Sequence, residues 1–279
     1  MTVVVKVGGA RAVDPEGALA DVASLTEQGE EVVVVHGGST KVDDTLERLG
    51  IEPEYVETPS GVVGRFTDEA TMEVFEMAFG HLNTQLVAGL QTQGVDAVGL
   101  NGVDGKLLYG PRKSAVRVVE DGKKKIKRGD HSGKITAVNA TLLETLLDGG
   151  YTPIVTVPML ADDGVAVNAD ADRAAAAVAG ALGAKLVVLT DVKGVYADPD
   201  DESTLIETAD TPEEFSALES AAEGFMTKKV MAAEEALDGG AAEVVVSDAN
   251  LNNPIVTALN GGGTHVTPGA LVETEEAGQ

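Results

Sequence analysis

Short valine-rich runs alternate with helix-like segments along most of this 279-residue chain. Nearly every position in these runs is apolar, which is typical of strands buried on both faces of a parallel sheet. Because a helical pattern follows each run, the order indicates repeated βαβ units and an α/β fold with a mainly parallel open sheet. We predict strands at 2–7, 31–36, 152–157, 186–190 and 243–247, and helices at 15–28, 40–49, 67–89, 138–148, 172–182, 211–218 and 226–237.

The region 97–135 departs from this alternation. There GLNGVDGKLLYG and AVRVVEDGKKKIKR predict antiparallel hairpins, with Asp121-Gly122 as the turn of the second. The chain length corresponds to about two domains or lobes. We therefore expect one sheet shared by an N-terminal lobe, 1–160, and a C-terminal lobe, 161–279, with a basic hairpin region at 106–134 in the first.

The composition excludes several classes of function. With 46 Asp and Glu against 20 Lys and Arg, the net charge is -26, which repels nucleic acid and is typical of proteins adapted to salt. The absence of cysteine excludes disulfides, thiolate zinc sites and thiol catalysis, and four scattered histidines favour no metal centre. No apolar run approaches the ~20 residues that cross a membrane, and the start lacks a secretion signal, so we expect a cytoplasmic protein.

Half of the basic residues lie within residues 106–134. Ten of the 20 Lys and Arg occur there with three acidic residues, so this segment carries +7 while the remainder carries -33. Such clustering in an acidic protein favours an anionic partner. A solvated strand edge kept polar by lysines, or general attraction of anionic substrates, would also explain it.

Two predicted strands end in glycine pairs. Lys6 precedes Gly8 and Gly9, while Gly37 and Gly38 stand before a predicted helix. Paired glycines let backbone N–H groups approach an anion, and a helix N-terminus adds partial positive charge. Tight turns without a ligand are the alternative.

Polar residues also cluster near the predicted helix at 172–182. Asn168, Asp170 and Asp172 are spaced two apart, so an extended approach would point them to one side. Capping of the helix would explain one of them.

Two later segments are typical of nucleotide sites. LVVLTDVKGVYADPD predicts a strand and then a loop able to hold a ribose or base, although a plain turn is possible. In GFMTKKV, lysines lie at a predicted helix start, where the helix dipole disfavours cations unless they face a polyanion. The usual phosphate-loop and dinucleotide glycine motifs are missing.

Taken in order, KVGG, HGGS, GRFTDEAT, NADAD with its alanine-rich helix, TDVKGVYADP and GFMTKKV resemble the amino acid kinase family. The likeness spans residues 6–229 and is strongest to the branch that contains N-acetylglutamate kinases. It implies a three-layer αβα sandwich, with acyl substrate bound in the N-terminal lobe and ATP in the C-terminal lobe.

The resemblance also implies roles for individual residues. Lys6 and Lys229 would flank the transferred phosphoryl group, with Asp172, rather than Asp170, between them. The acyl substrate would be bound by Gly37, Gly38, Arg65 and Asn168. ATP, with Mg²⁺, would be bound by Gly8, Gly9, Thr190, Asp191, Val195, Tyr196 and Met226.

Within that branch, Ser39 and Phe225 depart from the pattern of acetylglutamate kinases. The GRFTD sequence is more similar to a subgroup that phosphorylates glutamate or 2-aminoadipate held on a small acidic amino-group carrier protein. The carrier would dock by charge complementarity. Its expected docking residues are Lys123, Lys124, Lys125, Lys127 and Arg128. The alternatives are a kinase for free N-acetylglutamate and a non-catalytic nucleotide sensor or storage protein. Because the chain starts at the first strand, the resemblance further implies a homodimer.

Overall fold

The computed structural model describes residues 1–8, 15–59, 61, 63–120 and 122–272. Its strands are β1 (Thr2–Val7), β2 (Glu31–His36), β3 (Tyr55–Glu57), β4 (Val63–Arg65), β5 (Ala97–Gly102), β6 (Leu108–Gly110), β7 (Arg112–Glu120), β8 (Lys123–Gly133), β9 (Ala137–Val138), β10 (Thr152–Ala161), β11 (Ala166–Val167), β12 (Lys185–Thr190), β13 (Thr208–Ala209), β14 (Glu243–Asp248) and β15 (Thr264–Val266). Its helices are α1 (Pro15–Glu27), α2 (Ser39–Arg48), α3 (Glu69–Thr92), α4 (Ala140–Asp148), α5 (Ala171–Leu182), α6 (Pro212–Ala221), α7 (Phe225–Asp238) and α8 (Pro254–Leu259).

One large sheet runs through the molecule in the order β13-β15-β14-β12-β1-β2-β10-β6-β9, and β5 and β11 also pair with β10. The central pairs β12·β1, β1·β2 and β2·β10 are parallel. The valines of β1 face alternate sides: Val4 joins the apolar cluster built with α5 and α7, and Val5 joins the one built with α1 and α8. The predicted α/β fold with three layers is therefore confirmed.

The predicted strands and helices all occur, with ends shifted by a few residues. The largest shift is in β10, which continues to Ala161 and so crosses the proposed lobe boundary at residue 160. The sheet is continuous across this boundary. Among the described residues, no helix combines the length and apolar character that crossing a membrane needs.

One predicted hairpin is wrong. GLNGVDGKLLYG forms β5 and β6, which do not pair with each other; both run parallel to β10. The long, buried β10 offers pairing for β5 along its first half and for β6 at its end, and burial against it outweighs a local hairpin. The second hairpin is confirmed, because β7 and β8 pair antiparallel. Of its predicted turn, Asp121 lies outside the described residues.

Helix α8 was not predicted, although its Pro254 at the first turn is a common start signal. Its N-terminus is capped from α1, far away in the chain. The fully buried Asp21 carboxylate accepts hydrogen bonds from the Ile255 N–H at 2.7 Å and the Val256 N–H at 3.0 Å. Asp21 thereby fixes the layer formed by α1 and α8.

We predict that Asp21→Ala lowers the free energy of unfolding by about 2–3 kcal/mol, because buried donors to a charged acceptor lose their partner. Glu27→Ala removes an exposed carboxylate from the same helix and should change it by less than about 0.5 kcal/mol. Denaturant titration of both variants checks this. Equal effects would show that Asp21 does not cap α8.

Candidate active site

Three charged side chains meet beyond the carboxyl end of β1. Lys6 Nζ lies 2.6 Å from Asp172 Oδ1, and Lys229 Nζ donates to Asp172 Oδ2 at 3.4 Å. The Lys6–Asp172 contact is a short ion pair between two buried groups. Their side chains are between 7% and 12% exposed, which places one carboxylate between two ammonium groups in a nearly dry site.

Small residues bring the two helices of this cluster together. Helix α5 is alanine-rich, and a Cβ on Gly180 would lie 2.9 Å from the Gly239 backbone at the end of α7. Interaxial distance between packed helices depends on the side chains at the contact. The small residues therefore allow α7 to lie close enough to α5 for Lys229 to reach Asp172.

Two neighbouring aspartates at the start of α5 have different roles. Asp170 is the N-cap, and its carboxylate accepts from the backbone N–H groups of Asp172 and Arg173. Asp172 points inward to the lysines instead. Asn168 donates to Thr67 instead, so the three polar residues that were expected on one side have three different sets of partners.

The electrostatics of the site favour the ionised carboxylate. Burial alone would raise the pKa of Asp172, but the charges of Lys6 and Lys229 outweigh it and hold this pKa below its ordinary value. Burial lowers the pKa of Lys229, and the nearby Lys6 charge acts in the same direction against the attraction of Asp172. The cluster thus has one more positive than negative charge, which suits an anionic ligand.

Arg65 lies on β4, in a short β3–β4 hairpin that was not predicted. Its Nη2 donates to Asp43 Oδ1 at 2.7 Å and to the Ser39 carbonyl at 2.9 Å, while the buried Nε has no hydrogen-bond partner. Tyr55 contributes its ring and hydroxyl to the same guanidinium. Arg65 is therefore fixed beside the start of α2 with donor capacity left over.

The Asn168 side chain is hydrogen-bonded to the segment that follows Arg65. Its Nδ2 donates to Thr67 Oγ1 at 3.0 Å. The buried Asp130 carboxylate accepts from the Thr67 N–H at 3.4 Å and from the Ser132 hydroxyl. The base of the β7–β8 hairpin is thereby joined to Asn168 and to the segment just after Arg65. Sequence reasoning missed Thr67 and Asp130, although Thr67 belongs to the GRFTD motif.

The second glycine pair forms the β2–α2 turn. The Gly37 N–H donates to the Val7 carbonyl at 3.2 Å, so the expectation that both amides bind substrate is at odds with this structure. The reason is that the parallel β1–β2 ladder continues one residue past His36. A Cβ on Gly38 would lie 2.5 Å from Leu82 Cδ1, so a larger residue there would have to displace the Leu82 side chain. Helix α2 begins at Gly38 without a side-chain cap.

The predicted nucleotide residues differ in their surroundings. Thr190 ends β12 and Asp191 follows it, and the Thr190 hydroxyl donates to Asp191 Oδ1 at 3.1 Å. Val195 is only 2% exposed, and its N–H and carbonyl are bound to Thr264 Oγ1 and the Ile206 N–H. Val195 therefore packs the loop, and no described contact gives it a free group for a nucleotide. Tyr196 is half-buried and bridges to Leu205.

The remaining predicted residues lie near the ends of β1 and α7. Gly8 follows β1 and is half-buried, while Gly9 lies outside the described residues. Met226, in the first turn of α7, packs partly against the core. Next to Lys229, Lys228 Nζ donates to the Val63 carbonyl at 3.1 Å, joining α7 to the hairpin that carries Arg65.

The predicted docking lysines lie along β8. Lys123, Lys124, Lys125 and Arg128 are exposed, whereas Lys127 pairs with Glu54 and lies over the Phe66 ring at 4.3 Å. Lys127 thus ties the hairpin to the chain near Arg65.

In the part of the chain that the structure describes, no group of three or more acidic or histidine side chains is placed to hold a metal ion.

Comparisons with known proteins identify the family of this chain. Residues 1–248 match the model of the amino acid kinase family, and the chain belongs to that family. It is 46% identical over 267 residues to a [LysW]-aminoadipate kinase of Deinococcus radiodurans, covering 95% of this chain and 91% of the relative. It is 41% identical to an acetylglutamate kinase of Methanopyrus kandleri, covering 88% of this chain and 94% of the relative.

A solved structure shares the fold. N-acetylglutamate synthase from Neisseria gonorrhoeae, complexed with coenzyme A and N-acetyl-glutamate, superposes with a TM-score of 0.75 at 25% identity. The match covers 95% of this chain, which spans 59% of the length of that synthase. The resemblance drawn from the motifs is therefore confirmed at the level of family and fold.

We predict that Asp172→Asn lowers the free energy of unfolding by about 3 kcal/mol or more, because it leaves two buried lysines without their counter-ion. Asp170→Asn is the matched control two residues away. Asn caps helices about as well as Asp, so this change should stay below about 0.5 kcal/mol. Chemical denaturation measures both; a smaller loss for Asp172→Asn than for the control would contradict the ion cluster.

Proposed function

We propose that the protein transfers the γ-phosphoryl group of ATP to the side-chain carboxylate of glutamate or 2-aminoadipate, held on a small acidic carrier protein. The product is an acyl phosphate, as required in lysine or arginine biosynthesis. The observation that carries this proposal is the convergence of Lys6 and Lys229 on Asp172. The name of the Deinococcus relative supports the carrier-bound substrate.

The reaction places particular demands on the site. The acceptor carboxylate has an ordinary pKa near 4, so it is already ionised and needs no general base. Its oxygen forms a bond to the γ-phosphorus while the bond to the bridging oxygen breaks, and ADP leaves with that electron pair. Catalysis then consists of alignment and of reducing repulsion between anions. Two ammonium groups held by one carboxylate meet this demand.

The proposed assignments follow from these positions. Lys6 and Lys229 bind the phosphoryl oxygens, and Asp172 keeps both lysines oriented. Arg65, with its unpartnered Nε, and Asn168 bind the acyl substrate together with the Gly38 end of the turn. The N-terminal lobe, 1–160, would hold this substrate, and the C-terminal lobe, 161–279, would hold ATP.

ATP is proposed to lie along the loop after β12 and the start of α7. Its contacts would come from Gly8, Gly9, Thr190, Asp191, Tyr196 and Met226. Mg²⁺ prefers substrate phosphates and retained waters to an all-protein cage, so we propose that it enters with the nucleotide. It would supply additional charge neutralisation there.

Carrier docking is proposed at the exposed part of β8. The Asp130 carboxylate, which accepts from the Ser132 hydroxyl and from the Thr67 N–H, joins the base of this strand to the segment after Arg65. A carrier bound at Lys123, Lys124, Lys125 and Arg128 would therefore lie on a hairpin that extends from the proposed substrate site. Charge complementarity between a basic strand and an acidic partner increases the association rate and fixes orientation. Lys127, which is paired with Glu54, is proposed to orient the hairpin as well.

A homodimer and a cytoplasmic location also remain part of the proposal. The net charge of -26 supports adaptation to salt.

The competing function is phosphorylation of free N-acetylglutamate, which the Methanopyrus relative favours. ADP release measured with each substrate separates the two functions, and no ADP release with either would leave a non-catalytic nucleotide-binding protein. Light scattering that shows a hexamer would contradict the dimer.

Replacing either lysine of the cluster tests the catalytic assignment. We expect Lys6→Met or Lys229→Met to lower kcat at least about 100-fold, the scale for losing one electrostatic donor to the transition state. Lys228→Met changes the adjacent side chain, which contacts the Val63 carbonyl, and should lower kcat less than about tenfold. Steady-state kinetics with circular dichroism as a folding check decide it. Near-wild-type kcat in either cluster variant would remove the assignment.

Charge removal on the hairpin tests docking. We expect Lys123→Gln/Lys124→Gln to raise KM for the carrier-bound substrate by about tenfold and to leave KM for ATP nearly unchanged. Arg48→Gln/Lys106→Gln removes two exposed positive charges outside the β7–β8 hairpin and should affect neither constant by more than about twofold. Equal increases for both substrates would indicate general electrostatic attraction instead of docking.

A further inference from the structure

A buried histidine adjoins the Gly37–Gly38 turn and has no part in the mechanism above. His36 ends β2, is 2% exposed, and stacks on Phe79 of α3. Its Nδ1 lies 2.9 Å from the Gly37 carbonyl oxygen, and its Nε2 lies 3.2 Å from Asn83 Nδ2. The imidazole therefore joins the turn to the middle of α3.

The partners of the ring determine its tautomer. A carbonyl oxygen can only accept, so Nδ1 must carry the proton. The Asn83 amide nitrogen can only donate, so Nε2 must accept, which requires a neutral ring. A protonated ring would place an N–H group against the amide N–H group. In agreement, burial lowers the pKa of His36 to about 4, although the Gly37 contact opposes this shift.

Asn83 is itself fixed in orientation. Its Nδ2 also donates to the Ile154 carbonyl at 2.8 Å, which ties α3 to β10. Its Oδ1 occupies the space where a Cβ on residue 99 would lie, so Gly99 is required for this amide to fit. Three elements, α3, β5 and β10, thus hold Asn83 in the orientation that His36 needs.

Helix α3 also supports the next residue of the turn. Leu82 and Phe79 lie where any side chain on Gly38 would be, at 2.5 and 3.4 Å from its ideal Cβ. Position 37 is thus held through its carbonyl, and position 38 through packing. Helix α3 acts on position 37 through Asn83 and His36, and on position 38 directly.

We propose that His36 is a positioning residue: its neutral imidazole, oriented by Asn83, holds the Gly37 carbonyl so that the Gly38 end of the turn is shaped for the acyl substrate. The inference rests on the proposed function, because it takes this turn as part of the acyl-substrate site. It goes beyond that function by assigning the conformation of the turn to a residue outside the site.

Two amide substitutions separate the two contacts of the ring. His36→Asn places an amide donor near the Nδ1 position and retains the Gly37 contact, whereas His36→Gln places an amide near Nε2 and retains the Asn83 contact. Each loses one buried hydrogen bond, so a merely structural role predicts similar kinetics for both. A positioning role predicts that only the loss of the Gly37 contact matters.

For His36→Gln we expect KM for the acyl substrate to rise at least about tenfold, the equivalent of one hydrogen bond, with KM for ATP within about twofold. For His36→Asn we expect both constants within about threefold of the wild type. Similar kinetics for the two variants would overturn the proposal. Absence of activity in the wild type with every acyl substrate would instead overturn the proposed function.

Nitrogen-15 NMR of the wild-type protein provides a test that does not depend on the folding of any variant. We expect the His36 ring to be neutral with the proton on Nδ1 at pH 6, and its Nδ1 signal to shift on addition of acyl substrate. Addition of a non-hydrolysable ATP analogue alone should shift it less. A ring with the proton on Nε2, or one that responds only to the nucleotide, would overturn the positioning role.

Discussion

The buried contact of Lys6 and Lys229 with one carboxylate of Asp172 is the constraint on which the rest of the molecule depends. An isolated buried charge is strongly unfavourable, so each ammonium requires the carboxylate and the carboxylate requires both. This requirement fixes β1, α5 and α7 relative to one another. The glycines at the α5–α7 contact and the Asp170 cap make that arrangement possible. One net positive charge remains, and an incoming phosphoryl group would neutralise it.

The region around Arg65 and Asn168 is supported by hydrogen bonds between distant segments. Asp130 joins the base of the basic hairpin to Thr67, and Thr67 holds Asn168. Lys127, through Glu54 and Phe66, ties the same hairpin to the chain near Arg65. The hairpin that carries the segregated positive charge of this acidic protein is therefore attached to the Arg65 region by the buried Asp130 and by the more exposed Lys127–Glu54 pair.

Much of the architecture could be predicted because it depends on local patterns. In runs such as VVVKV and VVVVH, the side chains on both faces of the strand are mostly apolar. Only a strand that is covered on two faces buries every side chain of such a run. The hairpin predicted over 99–110 failed because its residues pair with β10, more than 40 positions away. The motif predicts a nucleotide contact for Val195, and only the structure shows that this residue is buried with its N–H and carbonyl both hydrogen-bonded.

The sequence by itself determined the order of the elements, the family and the residue types of the Lys6–Asp172–Lys229 cluster, since these depend on periodicity and on motifs of adjacent residues. Tertiary structure alone decided which of Asp170 and Asp172 meets the lysines, which amide of the glycine pair is already bonded, and what supports the turn. His36 and Asn83 are 47 positions apart, and nothing local marks them as partners. Their pairing arises from packing α3 against the sheet, and such packing depends on contacts between residues that no local pattern encodes.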